Sequence, residues 1–162
     1  MPNLILSDKM IADLIAEPKR VPDGVCSLRA IPERNGHRHK EFDVHCDTEN
    51  RFIIRIRQLC INPLDFSVIL AFQLPGLHSY FRLRRYNGLH AGVHTNVLEC
   101  EKITGFHIHT ATERYQRSSG LKPDSFAERT NRYWSLESAV ECLLFDCGFR
   151  SPMEDAPLFK QP

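Results

Sequence analysis

Extended segments with a two-residue period follow one another through the middle of the chain, and helical patterns lie on either side of them. Segments 51–59 and 66–74 are rich in Ile, Phe and Val, and segment 80–86 alternates between apolar and polar residues. Strands in succession pair antiparallel, because parallel strands need long crossover connections. The order predicts an α+β fold, with a single antiparallel sheet of about five or six strands packed by an N-terminal helix and two C-terminal helices.

Capping residues place the three predicted helices. Ser7 is a good N-cap residue, apolar residues recur at helical spacing after it, and Pro18 ends the pattern. Segment 125–128 has the Ser-x-x-Glu capping-box pattern of a short helix. Ser135 begins a longer helix, and Gly148 is expected to end it.

Further strands are predicted around the central three. Segments 25–31 and 38–46 favour a hairpin, segment 105–109 has the period of a half-buried strand, and segment 89–104 is irregular. In the central strands, the residues expected to face the core are Phe52, Ile54, Ile56, Phe81 and Leu83. The opposite face is expected to be basic, with Arg55, Arg57, Arg82 and Arg84.

The 162-residue length suits one domain, which we place at 1–150, followed by a proline-containing tail at 151–162. No stretch approaches the roughly 20 apolar residues of a membrane span, and we recognise no signal peptide. We therefore expect a cytoplasmic protein without membrane association. The six cysteines are accordingly expected to be reduced thiols.

The formal net charge of +1 hides opposing blocks. Residues 51–86 hold six arginines against the single acid Asp65, whereas residues 134–162 are mainly acidic. A local basic surface attracts phosphate or nucleic acid without a high overall pI, although such blocks are often only solvated faces.

Four of the eight histidines lie between residues 90 and 109, as His90-x3-His94 and His107-x-His109. Residues two apart on a strand share a face, so His107 and His109 can reach one ion, and His94 can supply a third nitrogen for a divalent transition metal such as zinc. We expect the His94 ring to lie within about 8 Å of one of the other two, with Arg84 or Tyr86 beside the same concavity. The alternative is that His107 and His109 are polar residues on the solvent side of the strand.

Histidine chemistry does not require a metal. Imidazoles can act as general base and general acid in phosphodiester cleavage, as in barnase-like and toxin-type ribonucleases, with arginine and tyrosine neighbours stabilising charge. Here His94, His107 and His109 are the candidate catalytic residues. The candidate ligand-binding residues are Arg82, Arg84, Tyr86, Asn87, Asn96 and Tyr115.

Two resemblances bear on the same stretch. His107-x-His109-x3-Glu113-x6-Gly120 resembles the first cupin motif, which implies a metal in a β-barrel. The glycine expected before it is replaced by Glu101, and no histidine after His109 provides a second motif.

The second resemblance is to a family of small uncharacterised bacterial proteins. The segments that carry it include RYNG at 85–88, HTN at 94–96 and HIH at 107–109, within residues 10–117. This resemblance implies a single antiparallel α+β domain and no established activity.

The sequence therefore favours a protein that binds, and in the stronger form of the hypothesis cleaves, a phosphate-containing ligand such as RNA or a nucleotide. The alternative is a non-enzymatic module that binds protein or nucleic acid, such as an accessory of a defence or toxin–antitoxin system. Convergence of His94, His107, His109 and Arg84 favours an enzyme or metal site, and their dispersal favours the module. The sequence does not predict an oligomeric state.

Overall fold

A seven-stranded sheet lies at the centre of the computed structural model, which describes residues 4–151. The strands are β1 (Lys19–Arg20), β2 (Glu33–Arg34), β3 (His37–Val44), β4 (Phe52–Leu59), β5 (Phe66–Gln73), β6 (Tyr80–Asn87), β7 (His94–Asn96), β8 (Glu101–Ile103), β9 (His107–Thr110), β10 (Phe126–Arg129) and β11 (Phe149–Arg150). The helices are α1 (Asp8–Ala16), α2 (Glu113–Gln116) and α3 (Leu136–Asp146), with a 3-10 turn at Leu28–Ala30.

The strand order in this sheet is β10-β9-β6-β5-β4-β3-β2, and every neighbouring pair is antiparallel. The predicted α+β class is confirmed, although the sheet has seven strands and not five or six. Strands β7 and β8 form a separate hairpin, and β1 pairs with β11 in parallel. The sheet is open, with β10 at one edge and β2 at the other, so it does not form the closed barrel that the cupin resemblance implies.

One face of the sheet carries the core, against α1 and α3. Ile54, Ile56 and Leu83 are completely buried there, Phe52 is almost so, and Phe81 packs against them. These are the residues expected to face inward, because side chains on a strand alternate between its two faces.

The first predicted hairpin is wrong in one half. Residues 25–31 contain turns and the 3-10 turn, whereas the hairpin joins β2 to β3 through Asn35 and Gly36. Both turn residues have positive φ, 53° and 77°, as a tight two-residue hairpin turn requires.

The helix predicted at 125–128 is also wrong, because this segment forms β10 and pairs with β9. A capping box is worth little against the backbone hydrogen bonds of a sheet edge. The predicted helices at the two ends are confirmed, with the side chains of Ser7 and Ser135 as N-caps. The one-turn helix α2 and the β7–β8 hairpin were not predicted.

A buried ammonium joins α1, α3 and the β1–β11 pair. Lys19 is 2% exposed, and its Nζ donates to the carbonyl oxygens of Leu14, Ile15, Glu17 and Cys147 at 2.8–3.0 Å. The carbonyls at a helix C-terminus lack partners within the helix, so this one cation satisfies the ends of both helices. Burial lowers the pKa of Lys19 to about 8, so the ammonium remains charged at neutral pH.

All six cysteines lie in the described part of the chain and are free thiols. Within residues 4–151, no helix has the length and apolar composition needed to cross a membrane. The proline-containing tail predicted at 151–162 falls, apart from Ser151, outside the described residues.

Candidate functional site

The register between β6 and β9 determines which side chains share a face. His107 lies opposite Asn87, and His109 lies opposite Arg85. Opposed residues on neighbouring strands project to the same side, so these four side chains lie on one face of the sheet. The residue between the histidines, Ile108, belongs to the core on the other face. We call the side that carries His107 and His109 the histidine face.

Four imidazole rings are in contact on the histidine face. The ring centroid of His94 lies 4.6 Å from that of His109 and 5.8 Å from that of His107. His107 and His109 are 5.0 Å apart, and His90 lies 5.3 Å from His107. The expectation that His94 lies within about 8 Å of another histidine of this set is therefore confirmed.

His107 and His109 are not on a solvated face, because each is only 2% exposed. Their Nδ1 atoms lie 2.8 Å and 2.9 Å from the main-chain oxygens of Gly105 and Asp124. A carbonyl only accepts, so Nδ1 carries the proton in both rings, and each Nε2 keeps its lone pair.

The environment keeps both buried rings neutral. Burial, followed by the charge of Arg85, lowers the pKa of His109 to about 2. Burial also lowers the pKa of His107, although the hydrogen bond to the Gly105 carbonyl opposes the shift. Neither ring can therefore donate a proton as an imidazolium at neutral pH.

His94 and Asn96 fasten the β7–β8 hairpin to the sheet edge. The His94 Nε2 lies 2.7 Å from the Ser125 carbonyl oxygen, which places the proton of this partly exposed ring on Nε2. Asn96 is completely buried; its amide donates to the Ala127 oxygen, and its Oδ1 accepts from the Ala127 N–H. The predicted ligand-binding role of Asn96 therefore finds no support in its contacts, since its amide is used within the protein.

Tyr115 also has an internal partner. It is completely buried, and its hydroxyl donates to Glu99 Oε2 at 2.6 Å, in the turn between β7 and β8. The Leu98 N–H is 3.4 Å from the same hydroxyl oxygen. Tyr115 therefore positions the hairpin that carries His94.

Arg84 and Tyr86 lie on the opposite face, contrary to expectation. The register shifts between Leu70 and Ala71, so Arg82 pairs with Ala71 and Arg84 pairs with Leu70, leaving an extra residue in β6. Arg84 consequently sits over the Tyr86 ring, and the Tyr86 hydroxyl donates to Asp146 of α3 at 2.8 Å. Strict alternation missed this bulge.

Arg85, not Arg84, accompanies Arg82 on the histidine face. Both guanidiniums approach Asp124 Oδ2, at 3.5 Å from Arg85 and 3.9 Å from Arg82. Burial lowers the pKa of Arg85, Asp124 raises it, and the positive charges of Arg82 and Arg57 lower it further. One carboxylate thus faces two guanidiniums, which leaves an excess of positive charge.

Three buried polar atoms on this face have no hydrogen-bond partner: Asn87 Oδ1, Arg85 Nε and Asp124 Oδ2. The last two form an ion pair at 3.5 Å, but the contact does not meet hydrogen-bond geometry. Buried polar atoms in folded proteins are normally satisfied, so such a group marks a place for water, an ion or a ligand.

Sequence reasoning missed two residues of this site, Asp124 and Tyr133. Asp124 lies in a connecting segment without a motif, so no signal marked it. The Tyr133 hydroxyl lies 2.8 Å and 2.9 Å from the carbonyl oxygens of Asn87 and His107, and it holds the ends of β6 and β9 from below.

The described residues include no group of three or more His, Cys, Asp or Glu side chains arranged to hold a metal ion. His107 Nε2 is 3.4 Å from the Asn87 amide nitrogen, and Arg85 adds a positive charge beside His109. Glu113, the glutamate of the cupin pattern, lies on α2 and pairs with Arg117.

Comparison with known proteins adds no assignment: no family model matches the chain, and no similar curated protein or solved structure was found.

Proposed function

We propose that the histidine face binds a phosphate-containing ligand, and that the ligand is single-stranded RNA or a nucleotide. The observation that carries the proposal is the trio of unpartnered buried atoms beside Arg82 and Arg85. A phosphate oxygen accepts from guanidinium groups, and it supplies the acceptor that Arg85 Nε lacks.

Neighbouring residues extend this surface along the sheet. Arg55 and Arg57 are partly exposed, and each already pairs with one acid, Glu41 or Asp65. Tyr80 is exposed two residues before Arg82, where its ring can stack on a base. A backbone of phosphates with unstacked bases matches this row of arginines and a tyrosine.

Cleavage, if the ligand is RNA, falls to the two partly exposed imidazoles, His94 and His90. The Nε2 of His94 carries a proton held by Ser125, so Nδ1 is the acceptor that can take the proton of a ribose 2′-hydroxyl. The 2′ oxygen then attacks phosphorus, the bond to the 5′ oxygen breaks, and a protonated His90 supplies the proton of the leaving group. The products are a 2′,3′-cyclic phosphate and a 5′-hydroxyl, and His107 and His109 act as positioning residues.

Binding is tested by fluorescence anisotropy with labelled single-stranded RNA of about ten nucleotides over a series of salt concentrations. The double variant Arg82→Gln/Arg85→Gln should bind at least about tenfold more weakly, with a salt slope smaller by about two counterions. The matched control is Arg114→Gln/Arg117→Gln, which removes the same charge from the α2 region and should bind like the wild type. Equal affinity and slope in wild type and the Arg82/Arg85 variant would refute phosphate binding here.

Cleavage is tested separately, by following the same RNA on a denaturing gel. His94→Gln keeps an amide donor for Ser125 and should abolish cleavage while retaining RNA binding. His78→Gln, in an exposed loop, is the matched control and should cleave normally. Wild-type protein that binds RNA without cleaving it would be a non-enzymatic module.

A divalent transition metal is the second candidate ligand, favoured by one observation. His107 and His109 both donate Nδ1–H to main-chain carbonyls, as metal-bound histidines commonly do. Three rings would need to turn their free nitrogens to one point, which requires His107 to exchange its contact with Asn87. Metal analysis of purified, untagged protein decides this: near-stoichiometric zinc, iron or nickel that is lost in His109→Gln supports the metal, and protein without it contradicts the metal.

A further inference from the structure

A second basic cavity lies on the opposite side of the same strands. It has a volume of about 180 Å³ and is lined by Arg84, Ile108, Thr110, Glu128, Arg129, Thr130 and Arg132. Arg84 lies opposite Thr110, and Ile108 lies opposite Glu128, so these four side chains project to the helix side of the sheet. The cavity is therefore separated from the histidine face by the sheet itself.

The hydrogen bonds of Asp146 leave one guanidinium of this cavity unsatisfied. Both Asp146 oxygens accept from Arg132, at 2.6 Å and 2.8 Å, and Oδ2 also accepts from the Tyr86 hydroxyl. Arg84 approaches no closer than 3.6 Å to Oδ2, and its Nε is buried without a hydrogen-bond partner. The carboxylate is already occupied, so Arg84 keeps both its charge and an unused donor.

Charge and donors together define what fits this cavity. Three guanidiniums, those of Arg84, Arg129 and Arg132, face the two carboxylates of Asp146 and Glu128, which leaves a net positive site. The hydroxyls of Thr110 and Thr130 lie in the same lining. Arginine forks and hydroxyl donors are the groups that bind tetrahedral oxyanions.

We propose that this cavity is a second anion site, which takes a single phosphate group, either as the free ion or as a terminal phosphate monoester. The small volume admits one such group and excludes a stacked base. This site is independent of RNA binding on the histidine face, because the two surfaces share no arginine.

Titration of the full chain with inorganic phosphate tests the proposal, followed by calorimetry and by the amide NMR signals of Thr110 and Thr130. Saturable binding with shifts of these signals is expected, and Arg84→Gln should weaken it at least tenfold. Arg129→Gln, at the exposed rim, provides a second variant if Arg84→Gln does not fold. Arg117→Gln is the matched control and should bind phosphate like the wild type.

The outcomes separate the two sites. Phosphate binding that survives in Arg82→Gln/Arg85→Gln but is weakened in Arg84→Gln or Arg129→Gln supports the second site, whatever the result with RNA. Absence of saturable binding, or equal affinity in wild type and both cavity variants, overturns it. A phosphomonoester that binds as tightly as the free ion identifies the terminal phosphate as the recognised group, and exclusive binding of the free ion restricts the site to inorganic phosphate.

Discussion

At the scale of single residues, the histidine face shows how neighbouring imidazoles can have different capacities. His109 is buried, neutral and held by a carbonyl, whereas His94 is partly exposed with a free acceptor nitrogen. The difference arises from what covers each ring, because charge is costly only where water is excluded. Burial therefore assigns the buried pair to positioning and the partly exposed pair to chemistry.

The neutral state of His109 predicts an acid-sensitive fold. Its folded pKa is about 2, against about 6.5 in an unfolded chain, so between these values only the unfolded chain binds the proton. Stability is lost as the pH falls through this window, by up to about 1.4 kcal/mol per pH unit for this group. Urea unfolding from about pH 6 to about pH 4 should show a shallower decline in His109→Gln than in the wild type.

The control for the acid experiment is His78→Gln, in an exposed loop, which should decline in parallel with the wild type. Identical pH slopes for His109→Gln and the wild type would mean that the His109 ring accepts a proton in the folded state.

The convergence of the histidines was predictable, but their burial was not. The two-residue period puts His107 and His109 on one face, and a loop that leaves and returns to the sheet brings His94 over them. Their cover comes from residues 94–127, whose contacts depend on Asn96 and Tyr115 meeting partners far along the chain. A local pattern contains no information about such contacts.

At the scale of elements, the edge strand β10 depends on one side chain. Asn96 supplies both a donor and an acceptor to Ala127, which takes the place of a further strand at this residue. An edge with free N–H and C=O groups invites pairing with other chains, and this contact covers it.

Loss of this contact should be costly. Asn96→Ala leaves the N–H and C=O of Ala127 without partners, and we expect a destabilisation of about 2–4 kcal/mol. Thr95→Ala, at the exposed neighbouring position, is the control and should change stability little. Hydrogen exchange at the Ala127 amide should accelerate in Asn96→Ala, and unchanged protection would show that the edge does not need Asn96.

Element type was predicted where a pattern was long and failed where it was short. The pairing of β4 with β5 follows from two eight-residue apolar strands joined by a turn. Segment 126–129 is only four residues long, and its Ser-x-x-Glu pattern was outweighed by backbone bonds to β9 that no local signal reports. The β-bulge in β6 likewise follows from pairing, and it reversed the face assigned to Arg84.

At the scale of the whole molecule, Lys19 ties the two ends of the described chain together. Replacing it with Met removes the donor to four carbonyl oxygens in the interior, and we expect a loss of about 3 kcal/mol or more. Lys9→Met, on the exposed side of α1, is the control and should unfold like the wild type. Chemical denaturation measures both, and equal stability of Lys19→Met and the wild type would show that water can satisfy these carbonyls.

The cage around Lys19 also sets an order for folding during synthesis. The carbonyl of Cys147 joins it from a point 128 residues further along the chain, and β1 has its parallel partner only in β11. A nascent chain that has emerged only as far as the central strands therefore lacks the acceptor and the strand that enclose this ammonium. The first helix of the protein waits for its last strand, and incomplete chains remain open to proteases until translation has passed β11.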